Sequence, residues 1–173
     1  TDSLTAPDDT YTCGTDKLGR DVLSRVIYGT RSSLTMTLCL VLVIFVVGTL
    51  LGILAGFFGG IVDEVIMRIA DMMISFPGLV LAIAIAGLLG PNMVNAVIAI
   101  SAVSWTKYAR LSRSLVLKIK SNLYIEAALV SGTRKGKIIW KYVVPNMITI
   151  MIVTAATDIG TMMLELASLS FLG

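Results

Sequence analysis

The chain has 173 residues, of which 56% are hydrophobic and only 14% are charged, and its formal net charge is +3. Its mean hydropathy of +0.89 excludes an ordinary soluble domain, which would need more polar surface. Histidine is absent, which excludes histidine-based catalysis, and Cys13 and Cys39 do not have the spacing of a metal site. We therefore predict no catalytic, cofactor-binding or metal-binding residue in this chain.

The charged residues are distributed very unevenly. None occurs from 32 to 62 or from 72 to 106, and both stretches exceed the roughly 20 apolar residues that a membrane-spanning helix needs. The sequence therefore predicts an all-α, polytopic membrane protein with a transmembrane domain at 32–166. Its four predicted spans lie at about 33–58, 63–89, 93–113 and 145–166.

A polar segment, 1–31, precedes the first span, and we place it outside the cytoplasm. Near its end Val22, Val26 and Ile27 recur at helical spacing, while two arginines occupy another face. This pattern predicts a short amphipathic helix that lies on the membrane surface.

The first span carries four glycines at four-residue intervals: Gly48, Gly52, Gly56 and Gly60. On one helix they form a flat strip that allows another helix to approach closely. A chance distribution of glycine is the alternative, but the strict register favours helix packing.

The second span, 63–89, must begin well before Pro77, because the apolar run after this proline is too short to cross a bilayer. We predict one helix that continues through Pro77 with a kink. Arg68 and Asp71 are three residues apart on this helix and can form an ion pair.

The fourth span contains Asp158 about halfway along, and a carboxylate at that depth often faces a transport pathway. We predict that Asp158 lines such a pathway and attracts a cationic group; pairing with another chain or a buried hydrogen bond is the alternative. Glu165 lies near the outer boundary, where a structural role is favoured. Trp105 and Tyr108 are interpreted as aromatic residues of the membrane interface.

Most basic residues lie between the third and fourth spans, so the positive-inside rule places that loop in the cytoplasm. The turn at 90–92 and the segments 1–31 and 167–173 then lie outside. The basic residues of this region are Lys107, Arg110, Arg113, Lys118, Lys120, Arg134, Lys135, Lys137 and Lys141.

The loop at 118–144 is predicted to contain two helices, 123–130 and 134–144. Gly132 separates them in the left-handed conformation that ends many helices, and the second helix runs into Pro145.

The first of these helices carries Glu126, Ala127 and Ala128. Small side chains allow a helix to sit deeply in a groove, where Glu126 can pair with a cation. An ordinary surface helix with a solvated glutamate is the alternative.

The spacing of these residues resembles the EAA loop of binding-protein-dependent ABC importer permeases. In that pattern EAA is followed by three residues, G, nine residues, I, one residue, L and P, and Gly132 and Pro145 occupy the G and final P positions. Tyr142 and Val144 replace the usual Ile and Leu, and both keep the bulk and apolarity. The resemblance covers about 13–173 and is closest to C-type subunits of dipeptide, oligopeptide and nickel permeases, through GTDKLGRDVLSRVIYG, LGPN and LELASLSFLG.

This resemblance implies an ABC importer type I permease core of six spans, of which the chain holds the second to the fifth. It implies a second homologous permease, two cytoplasmic ATPase subunits, an extracytoplasmic substrate-binding protein and surrounding membrane lipid as partners. Glu126 would contact an ATPase, and Ala127, Ala128, Gly132 and Pro145 would shape the docked segment. ATP and magnesium would bind to the ATPase subunits, at a bacterial or archaeal cytoplasmic membrane.

A secondary transporter or channel subunit without an ATPase is the alternative function, because it too can contain broken helices and a buried carboxylate. It does not account for the EAA pattern.

An intramembrane enzyme would need a nucleophile and base at readable spacing, and none is found. The chain has no GxxxxGK[ST] motif, so ATP hydrolysis would belong to another subunit. Basic residues beside a span favour contact with anionic lipid over nucleic acid.

Overall fold

The structure is a computed structural model that describes residues 3–172. The outer ends of the predicted segments 1–31 and 167–173 therefore lie outside the described residues. Within that range the regular structure is helical, apart from an isolated bridge between Thr15 and Asp21, which confirms the predicted all-α class. The helices are α1 (Val22–Phe58), α2 (Gly60–Ile74), α3 (Gly78–Leu89), α4 (Met93–Lys120), α5 (Leu123–Val130), α6 (Lys135–Ile138) and α7 (Val144–Leu172), with a π-helical turn (Ile139–Val143) between the last two.

The described chain divides within α1 into two compact units, one ending at Met36 and the other beginning at Thr37. The separate amphipathic helix expected before the first span is not formed, because α1 is one uninterrupted helix of 37 residues. Polar side chains do not break it, since the hydroxyls of Thr30 and Thr35 donate to backbone carbonyls one turn earlier in the same helix.

Two aspartates order the polar segment of the first unit. Asp16 Oδ1 accepts hydrogen bonds from the backbone amides of Leu18 at 2.8 Å and Arg20 at 3.0 Å. Asp21 accepts from the backbone amide of Ser24 at 3.0 Å and so caps the start of α1. The Arg20 amide holds the pKa of Asp16 below its usual value, and the Ser24 hydroxyl does the same for Asp21.

In the second unit, three glycines allow α1 to pack directly against α4. A methyl group on Gly48 would lie 2.5 Å from the Trp105 carbonyl oxygen, and one on Gly56 would lie 2.9 Å from Val116 Cβ. At Gly52 the same methyl group would overlap the backbone of α4. No side chain larger than hydrogen fits at these positions without moving one of the helices.

Gly60 does not extend this strip, contrary to expectation. The chain turns at Gly59, which has a φ of 68°, and Gly60 becomes the first residue of α2. A methyl group on Gly60 would meet no atom within 4 Å. The four-residue spacing therefore indicates packing only as far as the helix itself continues.

The predicted kinked helix through Pro77 is also wrong, because the chain breaks there into α2 and α3. The two helices are bent by 90° across the break. Proline has no amide hydrogen and disfavours helical geometry in the preceding residue, so α2 ends at Ile74 and α3 begins after Pro77.

Two helical stretches among the described residues are long and apolar enough to cross a membrane, Val22–Phe58 and Lys135–Phe171. The bent pair α2 and α3 adds a third if it forms one broken span. The helix α4 does not join this set because Lys107 and Arg110 follow its apolar half. The crossing predicted at 93–113 therefore stays a prediction.

Ion pairs connect α2 to α4. The guanidinium of Arg113 donates from Nε and Nη2 to the two carboxylate oxygens of Asp63, at 2.5 and 2.6 Å. One turn earlier on α4, Arg110 pairs with Asp71. Because the Arg113 contact is bidentate, it fixes the orientation of α2 as well as its distance from α4.

The ion pair predicted between Arg68 and Asp71 is not formed. Asp71 is engaged by α4, and Arg68 approaches Glu64 on its own helix at 3.9 Å, with both side chains largely exposed. Asp71 pairs with Arg110 and not with the nearby Arg68, and this contact also neutralises a cation of α4.

We predict that Gly52→Ala destabilises the chain by about 1 to 3 kcal/mol, because the added methyl group forces α1 and α4 apart. The midpoint of thermal unfolding in detergent measures the effect. Gly29→Ala in the same helix is the control, since its methyl group meets no atom within 4 Å. Equal midpoints for the two variants would contradict the close packing.

A double-mutant cycle with Asp63→Asn and Arg113→Gln is expected to give a coupling energy of roughly 1 to 3 kcal/mol, as for charge-assisted bidentate pairs. The exposed pair of Glu64 and Arg68 should give less than about 0.5 kcal/mol. Unfolding by sodium dodecyl sulfate in mixed micelles provides both values. Similar coupling in the two cycles would show that the α2–α4 pair has no special role.

Candidate coupling site

The helix α5 ends in a turn that its sequence specifies. The amide of Thr133 donates to the Ala128 carbonyl and that of Gly132 donates to the Leu129 carbonyl, both at 3.1 Å. This pair of bonds is a Schellman motif, and it requires a left-handed residue at Gly132, whose φ is 72°. The predicted role of Gly132 in ending the first loop helix thus agrees with the structure.

Few side chains attach α5 to the rest of the unit. Ile125 is fully buried, and the ring of Tyr124 lies 6.1 Å from that of Tyr142 in the π-helical turn. On the other side, Asn122 Nδ2 donates to the Ile119 carbonyl at the end of α4, at 3.0 Å. The short helix is therefore held by one buried side chain and by contacts at each end.

The opposite face of α5 is exposed and mostly apolar. Leu123 and Val130 are 83% and 90% exposed, and Glu126 and Ala127 lie between them at helical spacing. Ala128 is half-buried next to this face. This surface is therefore an apolar stripe with one carboxylate that faces away from the rest of the described chain.

The second loop helix does not end at Pro145 as predicted. The chain runs as one helical stretch from Lys135 to Phe171, and a π-helical turn precedes the proline. In this turn the amide of Val144 bonds the Ile139 carbonyl, five residues back, and Asn146 Nδ2 donates to the Tyr142 carbonyl at 2.6 Å. The wider turn tolerates the missing amide hydrogen of Pro145.

Asp158 is buried and holds α7 to α4. Its carboxylate accepts two hydrogen bonds from Lys107 Nζ, at 2.6 and 2.8 Å, and one from the Tyr108 hydroxyl at 3.0 Å. The side chain of Asp158 is 7% exposed, whereas that of Lys107 is 56% exposed. This is the buried hydrogen-bonded arrangement that the sequence left open as the alternative for Asp158.

The prediction that Tyr108 lies at the membrane interface is wrong, because its side chain is fully buried and its hydroxyl donates a hydrogen bond to Asp158. Trp105 is half-buried and donates to the Ala102 carbonyl at 3.0 Å. Sequence reasoning also missed Lys107, which it counted only as a determinant of orientation. Lys107 and Asp158 each lie 14 residues after the start of their helices, but the sequence alone does not show that these two helices pack side by side with their midpoints aligned.

The residues predicted to couple to an ATPase and the charge pair thus belong to one connected set of helices, and the sequence relatives identify its class. The chain belongs to the family of binding-protein-dependent transport system inner membrane components, whose family model matches residues 48–173. It is a membrane protein of the transport permease class.

Three relatives are named for what they transport. The dipeptide transport system permease protein DppC of Alkalihalophilus pseudofirmus is 41% identical over 98% of this chain. The glutathione transport system permease protein GsiD of Pectobacterium atrosepticum is 40% identical over 96% of the chain. The nickel transport system permease protein NikC of Escherichia coli is 38% identical over 98% of the chain. The chain covers 56%, 56% and 61% of these relatives, respectively, and so spans little more than half of their length.

Because Asp158 is buried and Lys107 is largely exposed, we predict that replacing Lys107 costs more stability than replacing Asp158. Lys107→Met should destabilise the chain by about 3 kcal/mol or more, because it leaves the buried carboxylate of Asp158 uncompensated. Asp158→Asn should cost less, since Lys107 is exposed enough to reach water. The unfolding midpoint in detergent orders the variants, and the double variant should be more stable than Lys107→Met alone. The reverse order would contradict the burial of Asp158.

Proposed function

We propose that the chain is a transmembrane permease subunit of an ATP-binding-cassette importer. Together with a second homologous permease it forms the pathway for uptake of a peptide or of nickel. Dipeptide, glutathione and nickel permeases among the relatives support this range of cargo. An extracytoplasmic binding protein would deliver the cargo, and its specificity would select among these classes.

The exposed face of α5 carries this proposal. Leu123 and Val130 flank Glu126 and Ala127 on a helix that only Ile125 anchors by burial. A carboxylate inside an apolar contact favours a partner groove that supplies a cation. We assign this surface to a cytoplasmic ATPase subunit, with ATP and magnesium bound there and not to this chain.

The connections of α5 suggest how the ATPase drives transport. Two residues join α5 to α4, and the Gly132 turn joins it to the helical stretch that continues into α7. A displacement of α5 is therefore transmitted to both helices that the Asp158 pair connects. Movement of such connected rigid elements between two arrangements would alternate access to the pathway.

The orientation follows from the basic loop, which we place in the cytoplasm of a bacterium or archaeon, with membrane lipid around the spans. A secondary transporter or channel subunit remains the competing function. It would use the same charge pair, but it gives no reason for an exposed apolar face on α5.

We expect Glu126→Arg to leave the protein in the membrane and to abolish ATP-driven uptake in proteoliposomes that contain all subunits. The reason is that the substitution places a cation against the proposed cationic groove. Glu64→Arg is the matched control, because it makes the same charge change at an exposed glutamate on α2. Normal uptake by the Glu126 variant would refute the coupling role.

The side of the membrane on which α5 lies provides an independent check. A cysteine at Ala127, with Cys13 and Cys39 replaced by serine, should crosslink to an ATPase subunit and react with impermeant thiol reagents only from the cytoplasmic side. Reaction in intact cells from the outside would rule out contact with the ATPase.

A further inference from the structure

Lys107 occupies an unusual position for a lysine. It lies 14 residues into α4, a helix of 28 residues, and more than half of its side chain is exposed. At about 1.5 Å per residue it is about 20 Å from either end of the helix. Its partner Asp158 is buried within α7, and a carboxylate in an apolar membrane helix faces a protein interior or a water-filled cavity, because exposure to lipid is costly. The face of α7 that carries Asp158 is therefore not a lipid-facing surface.

A polar strip on α7 lies beside Lys107. Its members follow one another at intervals of four, three, four and three residues, which places them along one side of a helix. They are Thr154, Asp158, Thr161, Glu165 and Ser168.

Two members of this strip, Thr161 and Glu165, have no hydrogen-bond or ion-pair partner in the described part of the chain. The hydroxyls of Thr154 and Ser168 donate to carbonyls of their own helix, and Asp158 is paired. Thr161 is exposed and Glu165 is half-buried, and neither makes a hydrogen bond or ion pair with another described residue. Polar groups in this setting require water or another chain as a partner.

The charges of the strip do not cancel. Lys107 neutralises Asp158 through both carboxylate oxygens. Glu165 is close enough to both residues to interact with them electrostatically, but it forms no ion pair with a described residue. When Glu165 is ionised, the three groups together have a net charge of −1, which attracts cations and repels anions.

We propose that Thr161 and Glu165, with Lys107 and Asp158 beside them, line a water-filled section of the transport pathway that favours cationic groups. The cargo group recognised here is a cation, such as a peptide ammonium or a divalent metal. This inference rests on the proposed importer function and adds the face of the chain and the charge that the cargo meets.

Thiol labelling tests both parts of the proposal. Thr161→Cys is introduced into a chain in which Cys13 and Cys39 are serine, because both native cysteines are exposed. The complete transporter is purified through a tag on its ATPase subunit and treated with a cationic (trimethylammonium) or anionic (sulfonate) methanethiosulfonate. Each rate is divided by the rate of the same reagent with a free small thiol.

Met163→Cys is the matched control. Met163 is only two residues from Thr161, which is about 3 Å along the helix, but it points about 200° away. We expect Thr161→Cys to react and Met163→Cys to be much slower. At Thr161 the cationic reagent should be favoured roughly 3- to 10-fold, on the strength of a nearby unit charge partly screened by water. Glu165→Gln should remove that preference.

Three outcomes would overturn the inference. They are an unreactive Thr161→Cys in the assembled complex, a faster reaction at Met163→Cys, and a cation preference that persists after Glu165→Gln. The first would show that another protein chain covers the strip. If no ATPase co-purifies with the chain, the proposed function fails instead, so the two failures are distinguishable.

Discussion

Neutralisation of the cations on α4 is the constraint on which the rest of the second unit depends. Four of its basic side chains each contact a different residue elsewhere in the fold. Three form ion pairs: Lys107 with Asp158, Arg113 with Asp63, and Arg110 with Asp71. The fourth, Lys120, donates from Nζ to the Phe57 carbonyl at the end of α1, at 2.9 Å. Each contact supplies an opposite charge or a partial negative charge to a cation of α4. Together they bring α1, α2 and α7 to the same central helix, and the glycines of α1 allow the closest of these approaches.

The same arrangement separates a tightly connected part from a loosely connected one. The helix α4 is joined to its neighbours by backbone contacts at glycine and by ion pairs, of which that between Arg113 and Asp63 is bidentate. In contrast, α5 buries one large side chain, Ile125, and exposes Leu123 and Val130. A small helix with few internal contacts can shift at little cost in stability, whereas the helices connected to it move as units. This contrast supports the coupling role that we propose for α5.

Local signals predicted much of this fold, and contacts between distant residues were the part that they could not predict. The boundaries of α5 and the left-handed Gly132 follow from composition and turn chemistry within a few residues. The break at Pro77 and the continuous helix at Pro145 show the limit of that approach. The same residue type ends a helix in one place and is absorbed by a wider turn in the other, depending on available partners such as Asn146. The pairing of Lys107 with Asp158 spans 51 residues, so no local pattern contains it.

The π-helical turn has a consequence for how this chain compares with its relatives. A turn with bonds five residues apart holds one residue more than the α-helical turn that it replaces. A homologous chain that lacks one residue within 139–143 could therefore close a regular turn there and keep the rotational phase of α7. A single-residue alignment gap is best placed at this turn, because a gap between the turn and Asp158 would rotate Asp158 by about 100° away from Lys107.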